Sequence, residues 1–160
     1  MGDVPARRSV RASLGVACLV SSLAAPALCQ IDPATALLER AGWDALASGQ
    51  PHAAAELFRQ AVAADPKSAR LRLGAGAAAY LERRDADAKL ALNRALELDP
   101  KLTRARELLG LVLYRSGELD GAIRVYEKLV AETSDKARIS ESLERWRRES
   151  ELRDRMTVAI

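Results

Sequence analysis

Apolar positions recur three and four residues apart through long stretches of the chain, as in Leu57, Ala61 and Val62 or Leu92 and Leu96. That spacing gathers apolar side chains on one face of an α-helix. It predicts helices over roughly 34–47, 52–64, 69–83, 86–98, 103–115 and 119–132. The helices follow a longer order. Rows of 34 residues starting at Thr35, Ala69 and Thr103 align with no insertion or deletion. Gly42, Gly76 and Gly110 share one column, and Ala54, Ala88 and Ala122 another. Phe58, Leu92 and Tyr126 form a large apolar column, followed by Ala61, Ala95 and Leu129. Each row therefore holds two helices, and three helical hairpins follow one another.

The small columns imply a packing rule. Two helices of a hairpin approach closely where side chains are small, so the Gly of the first helix is expected to meet the Ala of the second. The large residue four places after that Ala is expected to fill space towards the next hairpin. A leucine at Gly76 is then expected to cripple the fold.

The rows also share their punctuation. Asp65-Pro66 and Asp99-Pro100 close the first two, Ser134 stands at that place in the third, and Asp32-Pro33 opens the first. A residue before Pro is pushed out of the helical region, so the second helix ends there. Pro has a preset φ and no N–H to leave unpaired, and Asp can cap nearby N–H groups. Within each hairpin, Gly49 and Gly117 suit a left-handed turn residue. Asp85 and Asp87 are expected to take the turn's place in the middle row. After the third row, Ile139, Leu143 and Trp146 form an apolar stripe on an otherwise charged stretch, as a capping helix with one dry face requires.

Composition agrees with helices, since Ala, Leu, Arg and Glu dominate and aromatics are 4%. Length suits one domain. The net charge of +3 owes much to Arg7, Arg8 and Arg11, and removing residues 1–29 leaves 22 basic and 21 acidic residues. No clustered basic face remains to bind nucleic acid.

Those first residues have their own layout. A basic start is followed by an uncharged run from Leu14 to Ala25 and by the small residues of "APALCQ". That is the layout of a secretory signal peptide, with cleavage after Ala27 or after Cys29. The stretch from Ala12 to Ile31 is about long enough to span a bilayer uncleaved, but Pro26 and its small neighbours favour cleavage. Membrane contact is expected only through this segment if it stays attached. Both cysteines, Cys18 and Cys29, lie in it, so the mature chain would have no thiol. The expected destination is the periplasm or exterior of a bacterium.

The columns as a set resemble the tetratricopeptide repeat, a helix–turn–helix unit of about 34 residues. The match covers about 35–136 and is specific at the Gly, Ala, large-apolar and Pro columns. It departs where the family has an early large residue, here Leu38, Arg72 and Arg106, and at its mid-helix Tyr column, here Ala45, Ala79 and Leu113. The resemblance implies an all-α right-handed superhelix, a solenoid of three repeats plus a capping helix. The divisions would be a signal peptide (1–29), a lead-in (30–34), repeats (35–68, 69–102 and 103–136), a capping helix (137–156) and a tail (157–160). Family geometry places the first helix of each unit on the concave face. There it would put Trp43, Leu46, Arg70, Leu73, Tyr80, Arg104, Glu107, Leu111 and Tyr114. Such a groove suits a helix or extended peptide of another protein. Leu73 and Leu111 would equally serve as packing between helices. Family members that clamp a C-terminal carboxylate use Lys and Asn. The matching places here hold Glu39, Trp43, Gly74, Arg104 and Leu108, of which only Arg104 fits.

Catalytic motifs are missing from the sequence. His52 is the sole histidine and is expected at the surface, and one His with no retained Cys makes no zinc site. Gly74 and Gly76 have no strand before them, so they read as packing glycines and not as a phosphate loop. The expectation is a non-enzymatic, cofactor-free and metal-free binding scaffold. Two alternatives stand beside it. One is a structural spacer or assembly subunit. The other is a truncated part of a larger exported protein, since "SLERWRRESELRDR" resembles the segment that joins such repeats to a metallopeptidase-like domain.

Overall fold

Seven helices account for almost all of residues 32–158, which the computed structural model describes. They are α1 (Pro33–Ala47), α2 (Pro51–Ala64), α3 (Ala69–Leu81), α4 (Asp85–Leu98), α5 (Thr103–Arg115), α6 (Leu119–Glu132) and α7 (Lys136–Val158). The segment expected to be a signal peptide, with both cysteines, lies outside the described residues, as does the end of the tail. Each helix packs on the next in sequence, giving antiparallel pairs. First helices of successive units also approach each other, α1 with α3 and α3 with α5, whereas α2, α4 and α6 do not. The stack therefore curves with the first helices on its inner face.

Helix ends follow local chemistry. Pro33 and Pro51 open α1 and α2, where a missing N–H costs nothing. Asp65 and Asp99 accept from the backbone N–H of Lys67 and Lys101 at 3.1 and 2.9 Å, so each Asp-Pro step is a side-chain-closed turn. Ser68 then caps α3 by accepting from the Leu71 N–H.

The hairpin turns repeat through a column that the sequence disguises. Gly49 and Gly117 have φ of 69° and 79°, and the residue between them in the period, Arg83, has φ of 61°. Asp85 and Asp87 do not make the middle turn. They stand in the first turn of α4, where acidic groups complement the helix dipole. A left-handed conformation strains a residue with a Cβ. Arg83→Gly is therefore expected to raise stability by up to about 1 kcal/mol, read as a higher urea midpoint at constant slope.

The packing rule needs one change. A Cβ at Gly42 would lie 2.8 Å from the Phe58 ring, and one at Gly76 would lie 2.7 Å from Leu92 Cγ. One at Gly110 would overlap Tyr126. Each glycine thus receives the large residue of its own hairpin, and the backbone oxygen of Ala88 lies farther off, at 3.5 Å. Phe58 also reaches the next unit, because a Cβ at Gly74 would overlap its ring. Both Gly74 and Gly76 are packing glycines. Burial pushes the Tyr126 phenol up to about 12, so it stays a neutral packing group.

The period continues into α7. Ile139, Leu143 and Trp146 occupy the columns of Ala105, Leu109 and Val112, and all six are buried. Trp146 is wedged between Tyr114 (ring centroids 4.8 Å) and Tyr126 (4.3 Å). The capping helix is the first helix of a fourth unit. Glu144 holds its Gly column, which is tolerable because α7 runs on to Val158 where earlier units turn back.

Candidate functional site

The inner face is built from the same columns of α1, α3, α5 and α7. One column reads Ala36, Arg70, Arg104, Arg138 and another reads Glu39, Leu73, Glu107, Glu141. They form a ladder. Arg70 Nη2 meets Glu39 Oε1 at 2.9 Å, and Arg138 Nη1 donates to Glu107 Oε1 at 2.7 Å. Each rung joins a Glu to the Arg 31 residues later in the next unit. In the middle, the residue 31 before Arg104 is Leu73, which cannot accept. Arg104 is exposed and meets no acceptor among the described residues.

Other groups of the face are held by partners. The Arg115 guanidinium lies 3.8 Å from the Tyr80 ring centroid. Its Nε donates to both Asp85 oxygens at 2.9 and 3.0 Å, and its Nη2 donates to the Tyr80 carbonyl at 2.7 Å. The Asp85 hydrogen bonds raise the pKa of Arg115 and keep it charged. Tyr114 donates its hydroxyl to Glu149 at 2.9 Å, which pushes the phenol up. Trp43 donates to Glu39 at 3.4 Å and meets Phe58 edge-on with centroids 5.1 Å apart. A hollow of about 290 Å³ opens beside Trp43 and Glu39, walled by Ala36, Arg40, Asp44 and Arg70.

The nine expected groove residues fall into three sorts. Arg70 and Arg104 are exposed, Glu107 is half-buried, and Trp43, Leu46, Tyr80, Leu111 and Tyr114 are half-buried with one side on the core. Leu73 is 7% exposed and belongs to the core, which leaves it as the packing residue of its two readings. Glu39, Arg115, Arg138 and Glu149 complete the face and were not among the nine. The recurring Glu-to-Arg separation was the signal that could have found Glu39 and Arg138, whereas Arg115 and Glu149 pair with Asp85 and Tyr114 and follow no such repeat. His52 stands at the surface with Nδ1 3.0 Å from Glu82 Oε1.

Chemically, the face offers open cations at Arg104 and Arg40, aromatic edges and apolar steps, which serve binding. Among the described residues, no group of three or more His, Cys, Asp or Glu is placed to hold a metal ion. None of the described helices is long and apolar enough to cross a membrane.

Comparison with known proteins follows the same lines. Two tetratricopeptide repeat models match, one over residues 45–110 and the other over 86–137. The crystal structure of MamA is 31% identical, with 77% of this chain and 72% of that one covered and a TM-score of 0.71. The Sgt2 TPR domain from Aspergillus fumigatus is 26% identical over 78% of this chain and 83% of its own, with a TM-score of 0.70. The first TPR domain of Spaghetti (RPAP3), bound to the HSP90 peptide SRMEEVD, shares the fold. Its TM-score is 0.69 at 19% identity, over 72% of this chain and 92% of its own. A comparison with curated protein sequences finds no match. The repeated hairpins, the small-to-large column contacts and these likenesses agree: the chain belongs to the tetratricopeptide repeat family.

Proposed function

We propose that this chain is a non-enzymatic scaffold that holds a peptide or helix of a partner protein on its inner face. The observation that carries the reading is the broken ladder. Two of three rungs neutralise their arginines internally, and the third leaves Arg104 open on α5, the helix that also carries Leu111 and Tyr114. An exposed Arg on a face that also carries half-buried aromatic and aliphatic side chains is the usual make-up of an interface anchor. The RPAP3 domain, solved bound to an HSP90 peptide, is an example of this fold holding a peptide.

Arg104→Glu tests it. The side chain is exposed and supports no packing, so stability should move by no more than about 0.5 kcal/mol. Trp43 and Tyr80 are poorer choices, since Phe58 and Arg115 lean on them. The variant and the parent would be used to capture proteins from envelope extract. The expected result is loss of the parent's partners at unchanged helicity. Identical captures would mean that the inner face is not the site.

The same reading places the protein outside the bacterial cytoplasm. Its support is the basic, apolar and small-residue layout of residues 1–29. Mass spectrometry of the chain recovered from a bacterial envelope fraction should find a new N-terminus after Ala27 or Cys29. Recovery of the unprocessed chain from the cytoplasm would remove export from the proposal.

A further inference from the structure

Two furrows open on the outer face, one between α2 and α4 and one between α4 and α6. Their linings are the same columns one period apart. Ala55, Ala75, Ala79 and Ala91 in the first correspond to Lys89, Leu109, Leu113 and Val125 in the second. Larger side chains line the second floor, which is still the roomier furrow at about 740 Å³, and the first has these alanines with Val62 beside them. Leu90 stands on the wall of the first furrow at 72% exposure, where the second has Arg124. A leucine this open, beside a floor of alanines, is apolar surface without a partner.

The charges of the first furrow are unequal. Arg59 donates to both oxygens of Glu56 at 2.9 and 2.6 Å, which with Gln60 holds that carboxyl down at about 2. Arg84 donates to Glu82 and Asp87 at 3.0 and 2.8 Å. Arg72 is left over. Its Nε is buried and meets no acceptor among the described residues. The counterpart one period on, Arg106, donates to Glu132 and to the Pro100 carbonyl. The position matching Glu132 is Leu98, which has nothing to accept with. A buried donor without an acceptor costs stability, and a carboxylate would relieve it.

We propose that the furrow between α2 and α4 docks a short apolar segment of a partner protein whose single carboxylate is received by Arg72. The apolar part covers Leu90 and the alanine floor. The space, about 370 Å³, is at the small end of ligand sites and takes a few side chains. Arg72, whose Nε has no acceptor among the described residues, selects a carboxylate over an amide. The furrow lies on the opposite face from Arg104, so either site can fail without the other.

The probe is a short blocked peptide of Ala and Leu with one central Glu, titrated into the full chain beside its Gln counterpart and followed by amide NMR shifts. The Glu peptide should perturb Ala55, Ala75, Ala79 and Leu90, and the Gln peptide should bind about tenfold more weakly. Arg72→Gln should erase that difference. Ala79→Leu copies Leu113 of the next furrow and should abolish binding of both peptides. Ala91→Val, copying Val125, serves if Ala79→Leu lowers the Tm. Equal binding of the two peptides, shifts confined to the inner face, or no shift at millimolar peptide would each overturn the proposal. So would sedimentation showing self-association with the same amides shifted, since a second copy would then be the occupant.

Discussion

Phe58→Ala should cost about 3–5 kcal/mol, the range for emptying a fully buried phenylalanine site. The ring is 0% exposed. It fills the notch at Gly42 in its own hairpin, reaches Gly74 in the next, and meets Trp43 edge-on. Two helices lacking side chains at those points cannot close the gap without moving their backbones, so a cavity remains. Domains are stable by about 5–15 kcal/mol, so the variant would lose much of its margin. In a stack of repeats the damage should be uneven, because each unit touches only its neighbours. Hydrogen exchange should speed up in α1 to α3 well before α5 to α7. A variant with the parent's urea midpoint would show that the first two units are not joined through this ring.

The converse change adds matter to the same place. Gly74→Ala puts one methyl into the Phe58 ring, and the ring cannot retreat because Gly42 and Trp43 hold its other sides. Overpacking costs about 1–3 kcal/mol and at times more. Alanine regains about 1 kcal/mol of helix propensity, so the clash should win. Phe58→Leu placed on top should restore part of the loss, and the pair should be non-additive in thermal melts. Leucine at Gly76 is the harsher form, since its Cβ alone would sit 2.7 Å from the Cγ of Leu92, a fully buried side chain. If either single variant melted with the parent, the close helix contacts described above would be wrong.

The two glycines show how far reading the chain can go. Gly76 belongs to a column and could be assigned to packing from the period alone. Gly74 belongs to no such column. Its column mates are Arg40, Leu108 and Ser142, and only the reach of Phe58 across the unit boundary explains it. Arg83 is the opposite case. The period marks it as the turn residue between Gly49 and Gly117, yet its type conceals that and drew attention to the nearby aspartates. Leu73 was sorted by contact, because helix position alone left it both a groove residue and a packing residue.

Sequence by itself determined the helices, the 34-residue period, the Asp-Pro turns, the hairpin pairing and the dry stripe of α7. These depend on φ preferences and on apolar spacing within a turn or two of helix, and both are written locally. Only the tertiary structure decided that glycines receive the large column, that Arg104 lacks the glutamate its neighbours have, and that the Nε of Arg72 is buried without an acceptor among the described residues. Those facts rest on pairs such as Glu107 with Arg138, 31 residues apart, and Tyr114 with Glu149, 35 apart. Side chains so distant along the chain meet only after the units have stacked, and what each finds there depends on its neighbour's size and charge.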